Sequence, residues 1–188
     1  MKSIVIFASG SGTNAENIIR YFQDSEKARV SLVLSNKKEA KVLDRARELH
    51  VSAMSFNREA MSNGVVTALL SALQPDLIVL AGYLWKIPES LIHEFEGRII
   101  NIHPALLPAY GGKGMYGMNV HKAVIEDRQK ESGITIHYVN EHYDEGGIIF
   151  QARTAIETKD DAECLAGKIH QLEYTHYPRI IENLLDEK

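Results

Sequence analysis

The chain has 188 residues, of which 45% are hydrophobic and 24% charged, a composition typical of one folded globular domain rather than a disordered chain. Its formal net charge of −4 gives no overall attraction to nucleic acid or to an anionic membrane. No stretch reaches the roughly 18 apolar residues of a membrane span, and no targeting signal follows Met1. We therefore expect a cytoplasmic protein in one domain over residues 1–188.

Apolar runs rich in Ile and Val alternate with helical spacing through the first hundred residues. The runs are expected to be strands buried on both faces, at residues 3–8, 30–35, 76–81 and 98–103. Between the first two, helical spacing is carried by Ala15, Ile18, Ile19 and Phe22. This alternation predicts βαβ units, and so an α/β fold with an open, doubly wound, mostly parallel sheet.

The pattern changes after Pro104. A Gly-rich loop extends to Met118, a helix is expected near residues 120–127, and two β-rich runs follow at 133–139 and 147–154. These two runs either form a hairpin or continue the sheet as mixed strands. A last helix begins at Asp160 or Asp161, and Pro178 is expected to kink or restart it.

The segment Ser9 to Asn14 lies between a buried strand and a helix. Its glycines permit a tight turn, and the free backbone N–H groups at the positive end of the helix favour a phosphate. The same residues fit a relaxed GxGxxA pattern, so a dinucleotide-binding oxidoreductase is a competing hypothesis. That pattern needs an acidic residue about 20 positions later, whereas the second strand ends in Ser35 and Asn36.

Asn101 and His103 stand at the end of the strand at 98–103, where ligands gather in open α/β sheets. Being two apart on an extended segment, they can present an amide donor and an imidazole to one carbonyl oxygen. Asp144 lies in a Gly-containing turn, where an Asp often only caps its own turn. The histidines show no metal-ligand spacing, so no metal is expected.

Four motifs occur in the order SGSGTN, AGYLWKIP, NIHPALLP and YDEGG. Together they resemble the folate-dependent formyltransferases, and among these the members that act on glycinamide ribonucleotide, across nearly the whole chain. The resemblance implies a Rossmann-like formyltransferase fold, with a phosphate-binding half at residues 1–100 and a catalytic and folate-binding half at residues 101–188. It also implies an enzyme of small-molecule substrates, a monomer or homodimer, with 10-formyltetrahydrofolate as co-substrate and a role in purine biosynthesis.

The same resemblance assigns residues to roles. It implies a catalytic group of Asn101, His103 and Asp144. It implies that the acceptor is bound by Gly12, Thr13, Asn14 and Glu173, the first three at its phosphate. It implies folate contacts from Arg58, facing the glutamate tail, and from Leu84, Trp85, Lys86, Ile87, Val139 and Asn140, together with Asn101 and Asp144.

Several points stay open at the level of sequence. A formyltetrahydrofolate hydrolase, a formyltransferase with another acceptor, an NAD-binding oxidoreductase and a non-catalytic phosphometabolite-binding domain are alternatives. The loop at 111–116 is either a mobile lid or a longer surface loop, and His121 either lines the acceptor site or is structural. We expect the Asp144 carboxylate to keep His103 protonated, because a nearby negative charge stabilises the imidazolium.

Overall fold

The computed structural model describes residues 1–187. Its strands are β1 Lys2–Phe7, β2 Ala28–Ser35, β3 Ser52–Ser55, β4 Leu77–Leu80, β5 Ile99–His103, β6 Glu131–Tyr138 and β7 Ile148–Ala155. Its helices are α1 Thr13–Phe22, α2 Lys41–Glu48, α3 Arg58–Ser62, α4 Val65–Leu73, α5 Glu89–Glu94, α6 Met118–Glu126 and α7 Ala162–Asp186.

The strands form one seven-stranded sheet in the order β3-β2-β1-β4-β5-β6-β7. Alternate residues of β1 enter different cores: Ile4 and Ile6 pack with α1, α2, α6 and α7, whereas Val5 and Phe7 pack with α3, α4 and α5. Apolar residues on both strand faces therefore hold helices on both sides of the sheet. The predicted doubly wound α/β fold is confirmed.

The C-terminal strands are both a hairpin and a continuation of the sheet. β6 pairs antiparallel with β5, and β7 pairs antiparallel with β6, while the five other strands are parallel. The apolar runs in the sequence did not predict β3. Ser52–Ser55 is a short strand at the sheet edge, and its residues are half-buried or exposed. Such a strand lacks the apolar run by which buried strands are recognised.

The strand order reverses between β1 and β4, so the loops that follow these two strands diverge and leave a crevice. Ser9, just beyond β1, ties the two loops together. Its N–H donates to the Gly82 carbonyl at 3.0 Å, and its Oγ accepts from the Leu84 N–H at 2.9 Å. The crevice at the carboxyl ends of β1, β4 and β5 is thus held in shape by a short polar side chain.

Helix α7 continues through Pro178, so the expected restart is wrong. A proline inside a helix removes the N–H that would bond to the carbonyl four residues earlier, here that of Tyr174. The side chain of Asn17 supplies the missing donor, with its Nδ2 2.9 Å from the Tyr174 oxygen. Within residues 1–187, no helix combines the length and the apolar character needed to cross a bilayer.

Replacing Asn17 by Ala is expected to lower the free energy of unfolding by about 1 kcal/mol, because the Tyr174 carbonyl loses its donor. In a Pro178→Ala background residue 178 regains an N–H, so the same replacement should cost much less. Urea unfolding of the four proteins in a double-mutant cycle measures this coupling. Additive effects of the two substitutions would contradict the assignment.

Candidate active site

Two cavities share a wall at the carboxyl ends of the strands. The larger, called the main cleft, has a volume of about 560 Å³, and the smaller, called the side cavity, about 80 Å³. The shared wall consists of Tyr83, Asn101, Tyr143 and Asp144. Another cavity, of about 470 Å³, lies at the opposite edge near Met1 and contains none of the expected site residues.

One end of the main cleft is the start of α1. Gly12 caps this helix in the left-handed conformation, with φ 76°, and a Cβ there would collide with Val42. Among residues 1–187, no hydrogen-bond acceptor is found for the backbone N–H groups of residues 10–15. Gly12, Thr13 and Asn14 therefore present a positively polarised helix end to the cleft, as expected for a phosphate site.

Glu173 of α7 reaches the same end of the cleft and is only 6% exposed. Its Oε2 accepts a hydrogen bond from Asn14 Nδ2 at 2.8 Å. Burial raises the pKa of Glu173, and the Asn14 hydrogen bond opposes this increase. One turn later, the Tyr177 hydroxyl donates to the Leu80 carbonyl at 2.9 Å, which fixes α7 to the end of β4. The structure thus brings Glu173 together with the start of α1.

His103 and Asp144 meet at the shared wall. The distance from His103 Nδ1 to Asp144 Oδ2 is 3.5 Å. On its other side, His103 Nε2 lies 2.7 Å from the carbonyl oxygen of Tyr110. Since a carbonyl can only accept, we assign the ring hydrogen to Nε2. Asp144 Oδ2 also accepts from the Gly112 N–H at 2.9 Å, so both residues are tied to the loop that follows β5.

Opposing effects act on the pKa of His103. Burial, which disfavours the cation, lowers the pKa of His103 below the ordinary 6.5, although the Asp144 carboxylate and the Tyr110 carbonyl oppose this shift. Burial alone would raise the pKa of Asp144, but its contacts with His137, His103 and the Gly112 N–H lower it. Burial thus works against the expected imidazolium, whereas the acceptor oxygens at both ring nitrogens favour it.

Among residues 1–187, the side chain of Asn101 forms no hydrogen bond with His103; it contacts His137, a residue that the sequence did not single out. Asn101 Nδ2 lies 3.1 Å from His137 Nε2, which is 3.6 Å from Asp144 Oδ1. The other ring nitrogen of His137, Nδ1, lies 2.8 Å from the Tyr138 carbonyl oxygen, which can only accept, so Nδ1 is the donor of this hydrogen bond. His137 therefore connects Asn101 to Asp144.

The residues expected to contact folate divide between three places. Those that line the side cavity are Trp85, Lys86, Ile87, Val139 and Asn140, with Asn101 and Asp144 in the shared wall. Leu84 lines the main cleft instead. Arg58 lines neither cavity, but its guanidinium carbon lies 4.7 Å from the ring centre of Trp85, a cation–π contact.

The Gly-rich loop after β5 forms part of the main cleft. His121 lines the same cleft. Residues 112–117 all line the cleft. His121 is 3% exposed, and its Nδ1 is buried with no hydrogen-bond partner among residues 1–187. Burial, followed by the charges of His170 and His103, lowers the pKa of His121 to about 4. In the described chain, no three His, Cys, Asp or Glu residues form a group that could hold a metal ion.

Comparison with known proteins gives consistent matches. Residues 2–181 match a family model described as formyl transferase. The phosphoribosylglycinamide formyltransferase of Bacillus subtilis (strain 168) is 37% identical over 191 residues, covering 98% of this chain and 95% of that protein. The chloroplastic phosphoribosylglycinamide formyltransferase of Arabidopsis thaliana is 37% identical over 194 residues. That match covers all of this chain, which spans 66% of the Arabidopsis protein, just under two thirds.

The fold is also similar to solved structures. Glycinamide ribonucleotide transformylase 1 from Symbiobacterium toebii superposes with a TM-score of 0.91 and is 32% identical. The superposition covers 100% of this chain and 89% of that chain. Phosphoribosylglycinamide formyltransferase from Bacillus halodurans superposes with a TM-score of 0.87 at 37% identity.

Replacing Asp144 by Asn is expected to lower the pKa of His103 further, because the one carboxylate that stabilises its imidazolium is lost. An NMR titration of the His103 ring protons measures this shift. The matched control is Glu145→Gln, which removes an exposed carboxylate next in the chain and should leave the titration unchanged. An increase in the pKa of His103 on Asp144→Asn would contradict the assigned balance.

Proposed function

This chain belongs to the formyl transferase family, and we propose that it transfers the formyl group of 10-formyltetrahydrofolate to the amine of glycinamide ribonucleotide. The observation that carries the proposal is the shared wall between the main cleft and the side cavity. Asn101 and Asp144 belong to both cavities, with His103 against Asp144. Two substrates bound one in each cavity would meet at these side chains. The products are formylglycinamide ribonucleotide and tetrahydrofolate. The reaction is a step of purine biosynthesis.

The acceptor would occupy the main cleft. Its phosphate would be bound by the free N–H groups at the start of α1, with Gly12 allowing the close approach of the backbone. The carboxyl group of Glu173 would hold its ribose or glycinamide portion, and Asn14 holds that carboxyl group in place. The cleft volume of about 560 Å³ falls within the range of roughly 300–1,000 Å³ that holds small ligands.

The folate would occupy the side cavity and the surface beside it. Ile87 and Val139 give the cavity an apolar wall suited to an aromatic ring system. Trp85 and Arg58 lie next along the surface, and the guanidinium suits the carboxylates of a glutamate tail.

The chemistry follows from the partners of His103. The amine attacks the formyl carbon, and a negative charge develops on the formyl oxygen, to which Asn101 donates a hydrogen bond. Neutral His103 accepts the proton that the amine loses, and the Asp144 carboxylate stabilises the resulting imidazolium. As the bond between the formyl carbon and the folate nitrogen breaks, the imidazolium returns the proton to that nitrogen. No covalent enzyme intermediate and no metal is needed.

Two alternatives differ at identifiable points. A dinucleotide-binding oxidoreductase needs a carboxylate at the end of β2 to hold a ribose. Asn36 stands there, buried, and its Oδ1 accepts a hydrogen bond from Ser9 at 2.6 Å. A formyltetrahydrofolate hydrolase would use the same catalytic group with water in place of the amine, and only an assay separates it from the transferase.

We expect the release of tetrahydrofolate from 10-formyltetrahydrofolate to depend on added glycinamide ribonucleotide. The absorbance change on release measures the rate. Asp144→Asn should lower kcat by about 10²–10⁴-fold, the usual contribution of acid–base catalysis. Glu145→Gln, its exposed neighbour, should retain the wild-type rate. Release that does not need the acceptor would identify a hydrolase, and folate binding without turnover would favour another acceptor or a binding function.

The rate should fall as the solution becomes more acidic. Because His103 acts in its neutral form, kcat/KM is expected to decrease as pH falls through the pKa of His103, which lies below 6.5. In Asp144→Asn the residual activity should retain its plateau to a lower pH, since the carboxylate no longer supports the imidazolium. A pH–rate profile of both proteins measures this. If the rates of both proteins fall at the same pH, Asp144 does not influence the titration of His103, and this prediction is wrong.

A further inference from the structure

The loop after β5 contributes a cation to the main cleft. Among residues 1–187, Lys113 is the one Lys or Arg that lines this cleft. Two carboxyl groups, those of Asp144 and Glu173, line it as well. The two carboxyl groups disfavour an anion in the cleft. Only the start of α1 and Lys113 favour one among the lining groups of residues 1–187.

A phosphate monoester needs more positive charge than the start of α1 provides. Such a group carries a charge of about −1.5 to −2 at neutral pH, whereas a helix N-terminus is equivalent to about +0.5. Arg45 of α2 is bonded to the turn before α1, but its guanidinium already has two partners. It donates to the Ser11 carbonyl at 2.9 Å and forms an ion pair with Glu16. Arg45 therefore offers no free cation to the cleft, which it does not line.

The loop allows Lys113 to approach a ligand. Gly112 and Gly114, on either side of it, have φ of +94° and +93°, a conformation that side-chain-bearing residues rarely adopt. At the same time, the Gly112 N–H donates to Asp144, which keeps the base of the loop at the catalytic group. Lys113 itself is exposed, so its ammonium is not committed to a buried partner.

A second observation points to a polar ligand in the main cleft. His121 is nine-tenths buried or more, lines the cleft and has an Nδ1 without a partner among the described residues. Asn14 Oδ1, beside the start of α1, is also buried and unpartnered. Buried polar atoms without partners cost stability, so their concentration around one cleft points to a ligand that interacts there.

We propose that Lys113 neutralises the phosphate of the acceptor across the main cleft from α1, and so makes the enzyme select a phosphorylated over an unphosphorylated amine. The proposal rests on the proposed function, which puts the acceptor phosphate at the start of α1. The Gly-rich loop then has a specific role, because its glycines let one ammonium group reach an anion whose other ligands are backbone N–H groups.

The test compares two acceptors, glycinamide ribonucleotide and the same compound without its phosphate. Lys113→Met should raise KM for the ribonucleotide by about 10–100-fold, as expected for one charge-assisted contact. KM for the unphosphorylated acceptor and for 10-formyltetrahydrofolate should stay within about twofold of wild type. Lys122→Met, an exposed lysine of α6 outside the cleft, is the matched control and should change none of the three.

A direct titration separates this proposal from the proposed function. Calorimetry with ribose 5-phosphate should show binding to wild type and Lys122→Met, and at least tenfold weaker binding to Lys113→Met. Equal affinity in all three proteins would overturn the role of Lys113 even if the wild type transfers formyl groups. An equal rise in KM for both acceptors would also overturn it. If the wild type is inactive with the ribonucleotide, the proposed function fails, and the titration still decides on Lys113.

Discussion

The carboxylate of Asp144 holds four segments of the chain at one point. It faces His103 at the end of β5, His137 on β6 and the N–H of Gly112 in the loop, and it sits itself in the turn before β7. Asp144 adopts a φ of 57°, which a non-glycine residue rarely does without surrounding contacts that hold it. Both cavities are bounded by this residue, so the geometry of the shared wall depends on its contacts.

The same contacts decide the chemistry that the wall can perform. A carboxylate and an imidazole in a buried site interact more strongly than in water, yet burial also penalises each charge. For His103 the penalty of burial is larger than the gain from Asp144, so its pKa is lowered. In the reaction proposed above, a ring of lowered pKa accepts the proton of the attacking amine, and the adjacent carboxylate stabilises the charge that the ring acquires.

The sheet topology brings these groups together from distant parts of the chain. The reversal of strand order opens a crevice, into which β1 delivers a helix start and β5 delivers His103. Helix α7 then returns across the sheet and contributes Glu173, bonded to Asn14 although 159 residues separate them. Helix α7 also runs unbroken through Pro178, where Asn17 of α1 bonds to the Tyr174 carbonyl that the proline leaves without a donor. Helices α1 and α7 are therefore joined by side-chain hydrogen bonds, one of which is made by Glu173.

The sequence by itself determined the parallel strands, the Gly-containing turn before the first helix and the shared face of Asn101 and His103, because these follow from spacing along a few neighbouring residues. It left out β3, which has no apolar run, and His137, which stands opposite Asn101 only through the antiparallel register of β5 and β6. The tertiary structure alone decided that Glu173 is buried and that burial lowers the pKa of His103. Desolvation is a property of everything packed around a side chain, and local spacing does not contain it.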